Sequence, residues 1–204
     1  MSTSVPARSR QEERSQHTRQ RLMAATIECL VELGWSGTTT TVVAERAGVS
    51  RGAQLHHYRT RAELVLAAVA HLAEERREEV RREVAALPRG ENHTAAVLDM
   101  LARLYTGPLF QAALELWVAA RTDPELRAAV VPLEAKVGRE SHRLTVELLG
   151  VDEGRPGVRE AVQATLDLMR GLGLANTLTD DSARRNRLLR EWARTLDRTL
   201  RETR

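Results

Sequence analysis

A single cysteine in 204 residues, Cys29, excludes an internal disulfide and a zinc site built on several cysteines, and it suits a reducing compartment. Aromatic residues make up 3% of the chain, too few for the stacking platforms that read single-stranded nucleic acid. Lysine is almost missing, Lys136 being the one non-arginine among 31 basic residues. No apolar run approaches the ~18 residues of a membrane-spanning helix. The polar, basic stretch from Met1 to Gln20 has no apolar signal core, so a cytoplasmic location without membrane contact is expected. Proline is sparse, and strand-like alternation is confined to Thr38–Val43. Metal-ligand spacing is also lacking. His56 and His57 are neighbours, hence ~100° apart on a helix, and His71, His93 and His142 show no common spacing. Neither metal nor cofactor is expected.

The chain does have 42% hydrophobic and 29% charged residues, enough for a sizeable core and a solvated surface. Its net charge of +3 is unevenly spread. Residues 1–61 hold nine Arg and five Glu, a balance of +4, and residues 62–204 are near neutral at −1. A basic end on a neutral body fits a phosphate-binding head on a sensing or assembly domain, and equally a solvated Arg-rich tail.

Apolar residues recur at helical spacing nearly throughout, which predicts an all-α fold of about nine helices. Residues 1–13 read as a flexible basic arm. The next helix places Leu22, Thr26, Cys29 and Leu33 on one face and stops at Gly34. Thr39 can cap a short helix with Val43, Ala44 and Ala47 inward, ended by Gly48. Ser50 caps another over 51–58, and Thr60 with Glu63 forms a capping box for a helix reaching about Leu87. Further helices are expected at 92–105, 108–121, 124–149 (kinked or split by Pro132), 157–178 and 181–202. The resulting division is an arm at 1–13, a head at 14–59 and a body at 60–204.

The segment 39–58 carries the chemistry. Two short helices joined by Ala47-Gly48-Val49-Ser50 have helix-turn-helix geometry: Gly48 takes the tight turn, Val49 plugs the core and Ser50 caps the second helix. Arg51, Gly52, Ala53 and Gln54 then face a DNA major groove. Arginine reads guanine, glutamine can read adenine, and Gly52 admits the backbone. His56 and His57 lie one turn later, placed for phosphate. Gly48-Val49-Ser50-Arg51-Gly52 also spells a nucleophile elbow, but that elbow follows a strand and here a helix precedes it.

Thr18-Arg19-Gln20-Arg21-Leu22, Leu33-Gly34-Trp35, Thr39-Thr40, Val43 through Gly52, His57-Tyr58 and Arg61-Ala62-Glu63-Leu64 together resemble the TetR family of bacterial transcriptional repressors. The resemblance covers about residues 17–66. It implies a three-helix DNA-binding domain, a variable helical ligand-binding domain, and a homodimer spacing two recognition helices by one DNA turn on a palindromic operator. It also implies that Arg61 holds a phosphate. The candidate DNA-contacting residues are Thr39, Thr40, Thr41, Ser50, Arg51, Gly52, Ala53, Gln54, His56, His57 and Arg61. One stretch departs from the family pattern: Gln54 stands where a buried leucine is common, Leu55 and His57 where tyrosines often touch DNA, and Tyr58 where a core phenylalanine is typical. Either the helix is slightly rotated, or Gln54 is exposed and reads a base.

In the body, Met100, Leu104, Tyr105, Phe110, Ala113, Leu114 and Trp117 gather large apolar side chains on adjacent helices, with Tyr105, Trp117 and His142 as polar handles. This is the expected seat of a small apolar or amphipathic effector, or else an ordinary bundle core. Val162, Met169, Leu172, Leu189, Trp192 and Leu196 follow helical spacing on the last two helices, the expected dimer seam. The functional expectation is a ligand-responsive repressor and not an enzyme. An all-α enzyme or a protein-interaction module with a basic head are the alternatives.

Overall fold

The computed structural model describes residues 7–84, 87–88, 90 and 92–202. Among these residues nine α-helices follow one another without a strand: α1 Ala7–Gly37, α2 Thr40–Arg46, α3 Arg51–His57, α4 Arg61–Val84, α5 His93–Leu104, α6 Pro108–Ala120, α7 Pro124–Leu149, α8 Val158–Ala175 and α9 Ser182–Glu202. None is long and apolar enough to cross a membrane. The chain divides into two compact units, one taking residues up to Glu74 and Ala112–Val130, the other Glu75–Gln111 and Val131–Arg204. That division differs from the expected boundary at residue 60, because Ala112–Val130 packs with the head.

The first unit is organised around one face of α1. Leu22, Thr26, Cys29 and Leu30 are fully buried at i, i+4, i+7 and i+8, a helical stripe. Leu30 takes the place expected for Leu33, which is 45% exposed in the turn before the kink at Gly34. Leu22, Ala25 and Cys29 meet Val43 and Ala47 of α2 and its turn, and Leu64 of α4; Val42, Val49 and Tyr58 close the cluster. Burial pushes the Cys29 thiol above its ordinary pKa, as for a core residue. Of the expected arm, residues 1–6 lie outside the described residues. From Ala7 onward it is helix, since Gln11, Glu12, Glu13 and Arg14 are good helix formers that extend α1.

In the second unit Val97, Leu98, Met100 and Leu101 of α5 pack with Met169 and Leu172 of α8 and Leu189, Ala193 and Leu196 of α9. Thr94 donates a hydrogen bond to Asp197 at 2.6 Å, and Trp192 Nε1 donates to Thr165 Oγ1 at 3.0 Å. This overturns the expected dimer seam. Val162, Met169, Leu172, Leu189 and Leu196 are at most 4% exposed within one chain, and Trp192 is tied to α8, so these side chains hold their own unit together. α7 is not split at Pro132, which lies inside the helix. The proline removes one backbone donor, and the helical turns on either side carry the helix past it.

Tyr105 is half-buried against this core and edge-on to Phe110, with ring centroids 5.4 Å apart. Burial raises its phenol above the ordinary value of about 10, while the Arg170 charge and the hydrogen bond with Ser141 draw it down. A raised folded pKa means that the unfolded chain loses this proton first. Stability is therefore complete below about pH 10 and falls as pH climbs from there. Denaturant titrations between pH 8 and 11 should show this loss, and Tyr105→Phe should make it shallower.

Candidate nucleic-acid interface

Two capped helices make the site. Thr39 Oγ1 accepts the Val42 N–H at 3.2 Å at the start of α2, and Ser50 Oγ accepts the Ala53 N–H at 3.2 Å at the start of α3. Between them Gly48 has φ +60, a left-handed conformation that glycine adopts without strain. Its carbonyl accepts from Arg21 of α1 at 3.1 Å, which pins the turn to the first helix. A Cβ at Gly48 would lie 2.6 Å from the same guanidinium. After α3, Glu63 Oε2 accepts from the backbone N–H of Thr60 at 3.2 Å, and Thr60 Oγ1 accepts the Glu63 N–H at 3.1 Å. The expected capping box is present.

The outward face of α3 carries Arg51, Gly52, Leu55 and His56, all exposed. Among the described residues Arg51 has no hydrogen bond or ion pair, so its guanidinium is available to a base edge. Thr39, Thr41 and Ser50 are exposed on the same two helix starts, with Thr40, Ala53 and His57 half-buried. Partial burial, His56 and Arg19 hold His57 below the ordinary histidine pKa, which favours its neutral form near pH 7. Gln54 is a correction. Its side chain is fully buried, so it cannot read a base from this position. Nε2 donates to the Tyr58 carbonyl at 2.7 Å, and Oε1 is buried without a partner. The rotation of α3 that exposes Leu55 at 44% has turned Gln54 inward.

Arg61 is half-buried and committed within the head. Its guanidinium stacks 4.0 Å from the centroid of the Trp35 ring and donates to the Trp35 carbonyl at 3.3 Å. The Trp35 N–H in turn donates to Glu115 Oε2 of α6 at 2.9 Å. The backbone of one residue, Trp35, thus joins the end of α1, the start of α4 and α6. Gly34, with φ +66, makes room for it, since a Cβ there would lie 2.8 Å from the Glu115 carboxylate. This joint was not legible in the sequence, because Glu115 lies 80 residues from Trp35 and belongs to no motif.

The expected effector residues are divided between the two units. Met100 is fully buried in the second unit's core, and Tyr105 and Phe110 press against Gly173, where a Cβ would lie 2.1 Å from the Tyr105 carbonyl. Leu104 packs on that same core, and His142 pairs with Glu153 at 2.7 Å. Ala113, Leu114 and Trp117 fall in the first unit. A cleft of about 480 Å³ in the second unit is lined by Val84, Leu87, His93, Leu144, Glu147 and Leu148, none of which was expected there. Among the described residues no group of three or more His, Cys, Asp or Glu could hold a metal ion.

Residues 22–68, which span these capped helices and the start of α4, match the model for bacterial regulatory proteins of the tetR family. The regulator CymR of Pseudomonas putida is 38% identical over 125 residues, 61% of this chain and 62% of its own length, so the match spans less than two thirds of that relative. A transcriptional regulator from Rhodococcus sp. Rha1 shares the fold with a TM-score of 0.67 at 22% identity, over 87% of this chain and 95% of that one. The multidrug binding protein EbrR, solved with ethidium, does so with a TM-score of 0.59 at 24% identity, over 86% and 98%. Within that matched span, α2 and α3 have the helix-turn-helix arrangement. In residues 22–68 the chain is similar to the tetR family of bacterial regulatory proteins.

The joint at Trp35 yields a stability test. Glu115→Ala leaves a half-buried N–H without its acceptor and should cost the head about 1–3 kcal/mol in denaturant unfolding. Glu115→Gln, which keeps an acceptor oxygen, should recover most of that loss.

Proposed function

We propose that this chain is a homodimeric repressor that binds a palindromic operator through two α3 helices and is released by a small apolar or amphipathic effector. The observation that carries this reading is the free Arg51 on an exposed helix face, in a head where Arg21, Gln54 and Arg61 are engaged in its own fold. Arginine offers two donors to guanine O6 and N7, and dimers of such heads read half-sites one DNA turn apart. The protein acts in this account by binding, not by catalysis. Arg51→Ala should cost ~1–3 kcal/mol per half-site and relax preference at one base position. Fluorescence anisotropy on duplexes selected by the wild-type protein, between 50 and 200 mM salt, measures this. Unchanged affinity and selectivity in Arg51→Ala would place recognition elsewhere.

For dimerisation we assign the outer apolar side chains of the last two helices and their connection: Leu174, Leu178 and Leu188, 58%, 93% and 39% exposed. Apolar side chains left in water on two adjacent helices suit a four-helix pairing with a second copy. The double variant Leu174→Arg, Leu178→Arg should sediment as a folded monomer and lose most operator affinity, because linked heads gain by effective concentration. An intact dimer would move the interface off this face. The effector preference is supported by the cleft of the second unit, where Val84, Leu87, Leu144 and Leu148 surround the polar His93 and Glu147, and by the ethidium complex of EbrR.

A further inference from the structure

Helix α3 has one polar side chain buried and one apolar side chain exposed at successive positions. Gln54 is fully buried with Oε1 unpartnered, and Leu55 beside it is 44% exposed. Each placement is unfavourable alone, since an orphaned amide oxygen in a core and a leucine in water both destabilise the folded head. Turning the helix by one residue, about 100°, would cure both. The caps prevent that turn. Ser50 fixes the first turn through the Ala53 N–H, and Gln54 Nε2 holds the helix end by the Tyr58 carbonyl. Local rules broken as a pair, at successive positions of one helix, point to function.

We propose that Leu55 reads the C5-methyl group of a thymine in the operator's major groove. The proposal rests on the DNA-binding reading above and names what this face selects. The thymine methyl is the one apolar group that bases present in that groove, so it is the partner that an outward leucine fits. Arg51 lies at i−4 on the same exposed face, ~6 Å along the helix axis. At ~3.4 Å per base pair, the thymine falls one or two base pairs from the guanine that Arg51 contacts. Gly52 between them has only Ser50 Oγ, 4.0 Å away, near the site of a Cβ, so the backbone leaves room for the base edges. Gln54 fills the inward position, which a leucine would fill as well, so its amide is not needed to present Leu55.

Replacing thymine by deoxyuridine removes only that methyl group, so the test is a set of duplexes selected by the wild-type protein with each thymine changed in turn. Wild-type protein should lose about fourfold in affinity at one thymine per half-site, within two base pairs of the Arg51-dependent guanine. Leu55→Ala should bind the unmodified duplex several-fold more weakly and ignore that same change. Gln54→Leu should unfold at a higher temperature and keep the uracil sensitivity. The proposal is overturned if Leu55→Ala still distinguishes thymine from uracil there, if no such thymine exists, or if Gln54→Leu abolishes the discrimination. In those cases a steep salt dependence and sensitivity to Arg51→Ala would still uphold DNA reading. Wild-type protein that binds no duplex at all would remove both.

Discussion

A helix of seven residues does not persist alone in water, because the nucleation cost exceeds what so few backbone hydrogen bonds return. Helix α3 is that short, and the outward face proposed for recognition exists only because the rest of the head holds it. Ser50 closes its first turn and Gln54 its last, the Gly48 turn is pinned by Arg21, and Val49 and Tyr58 anchor both ends in the cluster around Leu22, Cys29 and Leu64. Rigidity obtained in this way leaves Arg51 and Leu55 free of structural duty. A side chain free to meet a base must stand on a helix that is not free to turn.

The same logic explains why Arg61 stands apart from Arg51. Both are cations near the recognition helix, yet Arg61 is stacked on Trp35 and bonded to its carbonyl. Through the Trp35 N–H the joint extends to Glu115, so the residue that opens α4 is fixed by α1 and α6 together. The head is thus braced by a segment far along the chain. In the second unit the residues expected to face a partner instead make the core, leaving α8, α9 and their connection with only a few outward leucines for assembly.

Much of this was legible in the sequence, for identifiable reasons. Thr39, Ser50 and the Thr60–Glu63 box are local signals, and each cap forms where its spacing places it. Gly48 announces its turn because few other residues take that conformation. What stayed hidden depends on distance or on phase. Hydrophobic spacing on α8 and α9 shows that a face is buried, but not whether the burial is within one chain or between two. Gln54 and Leu55 differ by one residue, and only the competing pull of caps and core decides which turns inward. The brace from Glu115 to Trp35 spans 80 residues and leaves no local pattern.

The account stands on α3 entering the major groove, and a tethered cleavage reagent tests that directly. His56 is exposed on the proposed face and accepts a cysteine, and Cys29 is fully buried, so an iron chelate attached through His56→Cys labels one place. On a duplex selected by the wild-type protein, the labelled protein should cut at two symmetric clusters about one helical turn apart, each centred in the major groove, as the proposed dimer requires. An absence of cuts from position 56, with cleavage instead from a chelate placed by Arg190→Cys on the exposed side of α9, would contradict it.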